Sequence, residues 1–209
     1  TDGEFVESCG ATSADGRSAK VVIIRRDTKP PSISHHASPP ANANGWNNTD
    51  VVVNYTCEDP SPGSGVASCP VVVTTLTQEG MHLVPAKTTS DVAGNSQLAG
   101  SLGVSIDKTS PKVSIRVPND GDIYAVGQPV TARWRAFDGL SGIASASASS
   151  TRGSQVNTTT VGEFQFTVDA SDRADNTTQV TNSYSVITRE EAEHRGIDLT
   201  DPGVNTPRR

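Results

Sequence analysis

The segment SDVAGNS at residues 90–96 returns as SDRADNT at residues 171–177, inside a longer pattern that the chain writes three times. Residues 3–17, GEFVESCGATSADGR, lie on residues 162–176, GEFQFTVDASDRADN, without a gap, and residues 79–95 fit with one extra position. After the first two copies come an apolar stretch and a near-identical joint, in which Asp27 and Asp107 each precede a proline, Pro31 and Pro111, by four residues. The joints are 80 residues apart. The first halves of the units match more loosely, residues 50–69 over residues 129–146, so that Tyr55 meets Trp134 and Asp59 meets Asp138. Ser64-Gly65 then meets Ser141-Gly142 after a two-residue insertion. Such a period is too long for a solenoid and suits a small sandwich domain. A catalytic motif is needed once per active site, whereas a structural unit recurs once per unit. The repeat reads as architecture.

Apolar residues alternate inside the units, which is the pattern of half-buried strands. Val51, Val53, Tyr55 and Cys57 fall on one face of VVVNYTC; Val130, Ala132, Trp134 and Ala136 do so in VTARWRAF; Phe164, Phe166, Val168 and Ala170 do so in EFQFTVDAS. No segment before residue 188 holds a helical period over three turns. With 33% hydrophobic and 4% aromatic residues, one large core is poorly supplied, and small β domains with thin cores fit better. DVAGNS lies between two strand candidates, and its Gly-Asn step suits the positive φ of a hairpin connection, with Asp91 accepting backbone N–H groups. TREEAEHRG differs: Thr188 and Glu191 have capping-box spacing and Gly196 ends a two-turn helix, followed by an extended tail.

Three cysteines occur, Cys9, Cys57 and Cys69. Cys57 and Cys69 flank EDPSPGSGVAS, a spacing that suits a disulfide closing a strand–loop–strand; zinc ligation and free thiols are the alternatives. A disulfide implies an oxidising, extracytoplasmic setting. The net charge is −6 with acids and bases mixed along the chain, so no basic stripe is visible and no nucleic-acid partner is expected. The apolar runs are a few residues long, which predicts no membrane span. Thr1 is not a natural start, so a preceding segment is expected to have been removed.

The ordered blocks Gly45-Trp46-Asn47, Asp50, Cys57, Asp59, residues 64–69 (SGVASC), Asp91, Gly94-Asn95 and residues 106–109 (IDKT) resemble the tandem immunoglobulin-like domains of bacterial secreted and cell-surface proteins. The resemblance covers residues 1–187. It implies an all-β chain of tandem immunoglobulin-like sandwiches with an architectural or adhesive task, secreted or on a cell surface, facing a surface protein or glycan. The second unit departs from it, having Ala136 and Ala146 near the cysteine positions. The resulting division is residues 1–27 as the last two strands of a partial unit, 28–107 and 108–187 as two sandwiches, and 188–209 as a short helix and tail.

Asp59, Asp91, Asp107, Asp138 and Asp172 recur at loop ends and joints, where their oxygens are candidates for calcium ligation between domains; the plain alternative is that they cap turns. One grouping joins the Asp107 joint to the Asp91 hairpin. His35-His36 reads as an exposed pair in a loop near the linker, and His82 and His194 lack any partner of HExxH type. Gly63-Ser64-Gly65 lacks the spacing of a nucleophile elbow, so no enzyme is expected. Trp134 is a core residue by its strand alternation, while Trp46 either plugs a sandwich end or is displayed to a glycan or partner. Residues 1–26 match only the final two strands of a unit. A lone two-stranded ribbon is marginal and its edges invite pairing, so they are expected to be covered by another chain or by the first full unit. The functional readings are a structural or adhesion module, an accessory region of a larger secreted hydrolase, and a subunit of an extracellular filament or sheet completed by strands in trans.

Overall fold

The computed structural model describes residues 2–70, 73–197 and 199. They form two compact units, residues 1–41 with 49–105, and residues 42–48 with 106–209. The first unit opens with β1 (Gly3–Ser13) and β2 (Gly16–Arg26), then runs β3 (Ser32–Ser38), β4 (Val51–Glu58), β5 (Val66–Ser68), β6 (Thr74–Leu76), β7 (Gly80–Val84), β8 (Lys87–Asp91), β9 (Ser96–Ala99) and β10 (Leu102–Ile106). The second holds β11 (Lys112–Val117), β12 (Asp122–Ala125), β13 (Arg133–Phe137), β14 (Ile143–Ala148), β15 (Gly162–Asp172), β16 (Thr177–Ile187) and the helix α1 (Arg189–His194). The all-β expectation holds.

In the second unit one sheet runs β12-β16-β15-β14 and the other pairs β11 with β13. β12 lies parallel to β16, from Asp122 opposite Tyr184 to Ala125 opposite Ile187, while the remaining pairs are antiparallel. Inward residues from both sheets meet in one core of Val117, Tyr124, Val130, Ala132, Val156, Phe166, Val168, Tyr184 and Val186, with Trp134 and Phe164 packed against it. Phe164 stacks on Tyr184, their centroids 5.4 Å apart. Tyr124 donates from its hydroxyl to Asp122 Oδ2 at 2.6 Å. Burial and that neighbouring carboxylate push its phenol well above the usual range.

The first unit builds the same plan from shorter pieces: β3-β4-β6, β5-β8-β9 and β10-β7. Where β15 and β16 run unbroken for 11 residues each, Pro85-Ala86 separates β7 from β8 and Gly100-Ser101 separates β9 from β10. Proline has no N–H for the ladder and glycine weakens it, so the long hairpin becomes two short ones. Its core is thin, with Val51, Val53, Val84, Ala99 and Val104 buried beside a buried Thr89 that donates to Ser68 O. The Cys57–Cys69 disulfide closes this sandwich, with Cα atoms 5.9 Å apart. Burial of Val51 and Val53 against exposed Asn54 follows the alternation of the sequence.

Several expectations are corrected. Among the described residues β1 and β2 pair only with each other, so the described strands of the first sandwich do not cover the ribbon's edges. Its side chains are exposed, Val6 at 64% and Ile23 at 54%. His35 and His36 lie on strand β3, not in a loop, and point to opposite faces, so they are no pair. Charge is also less evenly spread than the linear sequence implies: Arg116, Arg133, Arg135 and Arg152 gather around one recess on the β11–β13 sheet. Residues 42–48 belong with the second unit, where Asn42 Nδ2 donates to Arg173 O and Asp107 N donates to Asn47 O. α1 forms as its sequence predicts: Thr188 Oγ1 accepts from Glu191 N at 3.2 Å, Gly196 follows with φ +70°, and Ala192 is buried. The tail after it lies almost wholly outside the described residues.

Candidate functional site

The recurring aspartates assemble into two triads. One carboxylate oxygen from each of Asp27, Asp59 and Asp91 lies within 4.8 Å of the other two, and the same holds for Asp107, Asp138 and Asp172. The repeat explains the match. Asp27 follows β2 and Asp107 follows β10; Asp59 follows β4 and Asp138 follows β13; Asp91 ends β8 and Asp172 ends β15. Each triad therefore draws on one joint, one strand end and one hairpin.

Local chemistry holds the carboxylates in place identically. Ser64 N donates to Asp27 Oδ2 at 2.7 Å, and Ser141 N to Asp107 Oδ2 at 2.9 Å. Gly65 N donates to Asp59 Oδ2 at 2.6 Å, and Gly142 N to Asp138 Oδ1 at 2.7 Å. The hairpin aspartates accept from Asn95 N and Asn176 N at their Oδ1 atoms and from the two asparagine Nδ2 groups at Oδ2. Those same amides reach back to Asp27 O and Asp107 O, tying each joint to its hairpin. In the first unit Gly63 lies so close to Asp59 that a Cβ there would sit 2.6 Å from both carboxylate oxygens. The partial copy lacks the set: Ser13 and Arg17 stand where Asp172 and Asn176 stand.

Electrostatically the triads are unbalanced. Two unit charges 4.8 Å apart repel by about 3 kcal/mol at an effective dielectric constant near 20. No ion pair among the described residues involves any of the six. Asp107 and Asp172 are fully buried and Asp91 nearly so. The Ser64 hydroxyl, then the N–H groups of Ser64 and Lys29, hold the Asp27 carboxyl below the usual range. A carboxylate has about four lone-pair sites, and N–H donors occupy between one of them, at Asp59, and three, at Asp172. Asp59 Oδ1 and Ser141 Oγ are buried with no partner among the described residues, the latter on the residue whose N–H holds Asp107. An oxygen-only set with open lone pairs suits a hard cation such as calcium, completed by carbonyls or water. No cysteine or histidine joins either triad, so zinc does not fit.

The structure thus regroups the predicted residues. Asp107 groups with Asp138 and Asp172, and Asp91 with Asp27 and Asp59, so in place of the expected grouping of Asp107 with Asp91 each unit holds a triad of its own. The first triad also takes in Asp27, which the repeat aligns with Asp107 but whose single carboxylate carries no ligand signal in the sequence. Trp46 is half-buried, its backbone N–H bonded to Asn42 Oδ1 at 3.0 Å. Cys57 and Cys69 are joined, and Cys9 is free and exposed on β1.

No family model matches the sequence, and no curated protein matches it. Among solved structures, the fibronectin(III)-like modules of Clostridium thermocellum CbhA are 13% identical, with 75% of this chain and 94% of theirs covered at a TM-score of 0.35. Extracellular cadherin domains 1–5 of protocadherin gamma B2 are also 13% identical, with 88% of this chain and 45% of theirs covered at a TM-score of 0.29. The chain spans under half the length of the latter. By its own strand order the chain is an all-β protein of tandem immunoglobulin-like sandwiches, preceded by a two-stranded ribbon and followed by a short helix.

Proposed function

We propose that the chain is a non-catalytic extracellular module, structural or adhesive, in which each sandwich fixes its joint and hairpin with a divalent cation, calcium. The observation that carries this is the triad built twice from repeat-equivalent positions. Chemistry on a substrate requires one such site; holding two units in shape requires one in each. The disulfide supports an oxidising compartment. Among the described residues no helix is long and apolar enough to cross a membrane.

Calorimetry in chelator and in millimolar calcium tests the reading. Saturation at a hundred times Kd stabilises a binding fold by about 2.7 kcal/mol, so transitions of both units rise. Superimposable transitions would leave the aspartates as turn caps alone. The naked ribbon β1–β2 favours a second reading, a subunit completed by strands in trans, which predicts concentration-dependent assembly of the intact chain. An accessory region of a larger secreted hydrolase would share the cation chemistry and is separated from both by a catalytic domain on the same precursor.

A further inference from the structure

We infer that the outer face of the β11–β13 sheet binds an anionic oligosaccharide carrying carboxylate or sulfate groups. A recess of about 330 Å³ opens there, rimmed by Arg116, Arg133, Arg135 and Arg152 and containing no acidic lining residue. None of the four guanidiniums bonds to a described residue, although the chain carries a net charge of −6 and acids are plentiful. Arg133 and Arg135 project from the same face of β13, about 7 Å apart by strand geometry, and both are exposed. Arg116 joins them through an irregularity. Ile115 pairs with Trp134 and Val117 with Arg133, which leaves Arg116 as the extra residue of a bulge, a device that re-aims a side chain. Arg152 arrives from a separate turn, which Ser154 N closes by donating to Thr151 O and which Gly153 N ties to Ala132 O.

The floor argues for a sugar. Gly153 leaves room for a ring and Ser114 and Thr131 offer hydroxyls, while Phe137, outside the recess, continues the exposed row of β13 at 63% exposure. Aromatic faces pack against the C–H face of a pyranose, while planar guanidinium forks match carboxylate or sulfate oxygens two at a time. The cations surround a concavity instead of following a strand edge, so an extended acidic peptide is served less well. A small basic patch on an acidic molecule likewise lacks the long-range field that a polynucleotide needs. The inference rests on the adhesive half of the proposed function and supplies its ligand class. Its failure would leave the calcium response untouched, because that response is read by melting.

Trp134, between Arg133 and Arg135 on β13 and half-buried against the core, with Nε1 bonded to Ser150 O at 3.1 Å, serves as the reporter. The full chain would be titrated with a heparin octasaccharide, an oligogalacturonate, maltooctaose, hexaglutamate and a single-stranded oligonucleotide of matched charge. Binding of the sulfated or the uronate sugar is expected, weakening as salt rises, and the preferred arm identifies the acid group. R133Q/R135Q should weaken it about tenfold or more with an unchanged circular dichroism spectrum, whereas R25Q/R26Q, with the same loss of charge, should not. No binding of either acidic sugar, equal binding of maltooctaose, or tighter binding of hexaglutamate or the oligonucleotide would overturn the inference. So would full affinity in R133Q/R135Q.

Discussion

Asp91 and Asp172 each do two things with one carboxylate. They accept the N–H that closes a hairpin and they present an oxygen to a triad. Replacement by asparagine keeps the first role through the amide oxygen and loses charge from the second. D172N should therefore abolish the calcium-dependent rise of the second unit's transition and leave that of the first unit, as calorimetry would show; D91N should do the converse. Asp27 gives a pH signature. Its folded pKa is lowered from an unfolded value of 3.8, so its contribution is complete above that pH and is lost as pH falls through the folded value. Melting followed from pH 5 downward should fall less steeply in D27N. Tyr124 offers a test away from the triads: Y124F removes a donor from the buried Asp122 and should destabilise the second unit by about 1–2 kcal/mol in chemical denaturation.

Among the elements, the ribbon and the disulfide set the sharpest expectations. β1 and β2 carry apolar residues on both faces. Phe5 pairs with Ile24 and Val22 with Glu7 on one, and Val6 pairs with Ile23 and Val21 with Ser8 on the other. Deleting residues 1–26 should abolish concentration-dependent assembly in sedimentation while both sandwiches stay folded. Strands were legible because alternation and the repeat agree, as at Val51, Val53 and Tyr55. The hairpin turn was legible too, for Gly94 has φ +93° and Asp175 has φ +69°. The arginine recess was not. Its members come from two strands and a turn, and one of them is aimed by a bulge that no alternation reveals. Grouping of the aspartates was equally hidden, because sequence position says where a strand ends but not which three ends meet.

At the scale of the whole molecule, the two units rely on different means. The second has one continuous core, while the first has a thin one closed by Cys57–Cys69. Closing a loop of that length stabilises by about 3 kcal/mol in the chain-entropy account. Reductant should therefore lower one calorimetric transition, that of the first unit, and leave the other in place. Two transitions shifting together would show that the units do not melt as separate cores.

The parallel pairing of β12 with β16 has a mechanical consequence. Tension that enters the second sandwich on the side of β12 and leaves through the end of β16 acts along both strands. The pairings from Asp122–Tyr184 to Ala125–Ile187 are then loaded together in shear, whereas a ribbon peeled from one end gives way bond by bond. β16 is also held along its other edge by ten pairings to β15. A sandwich wired in this way yields late and abruptly when pulled.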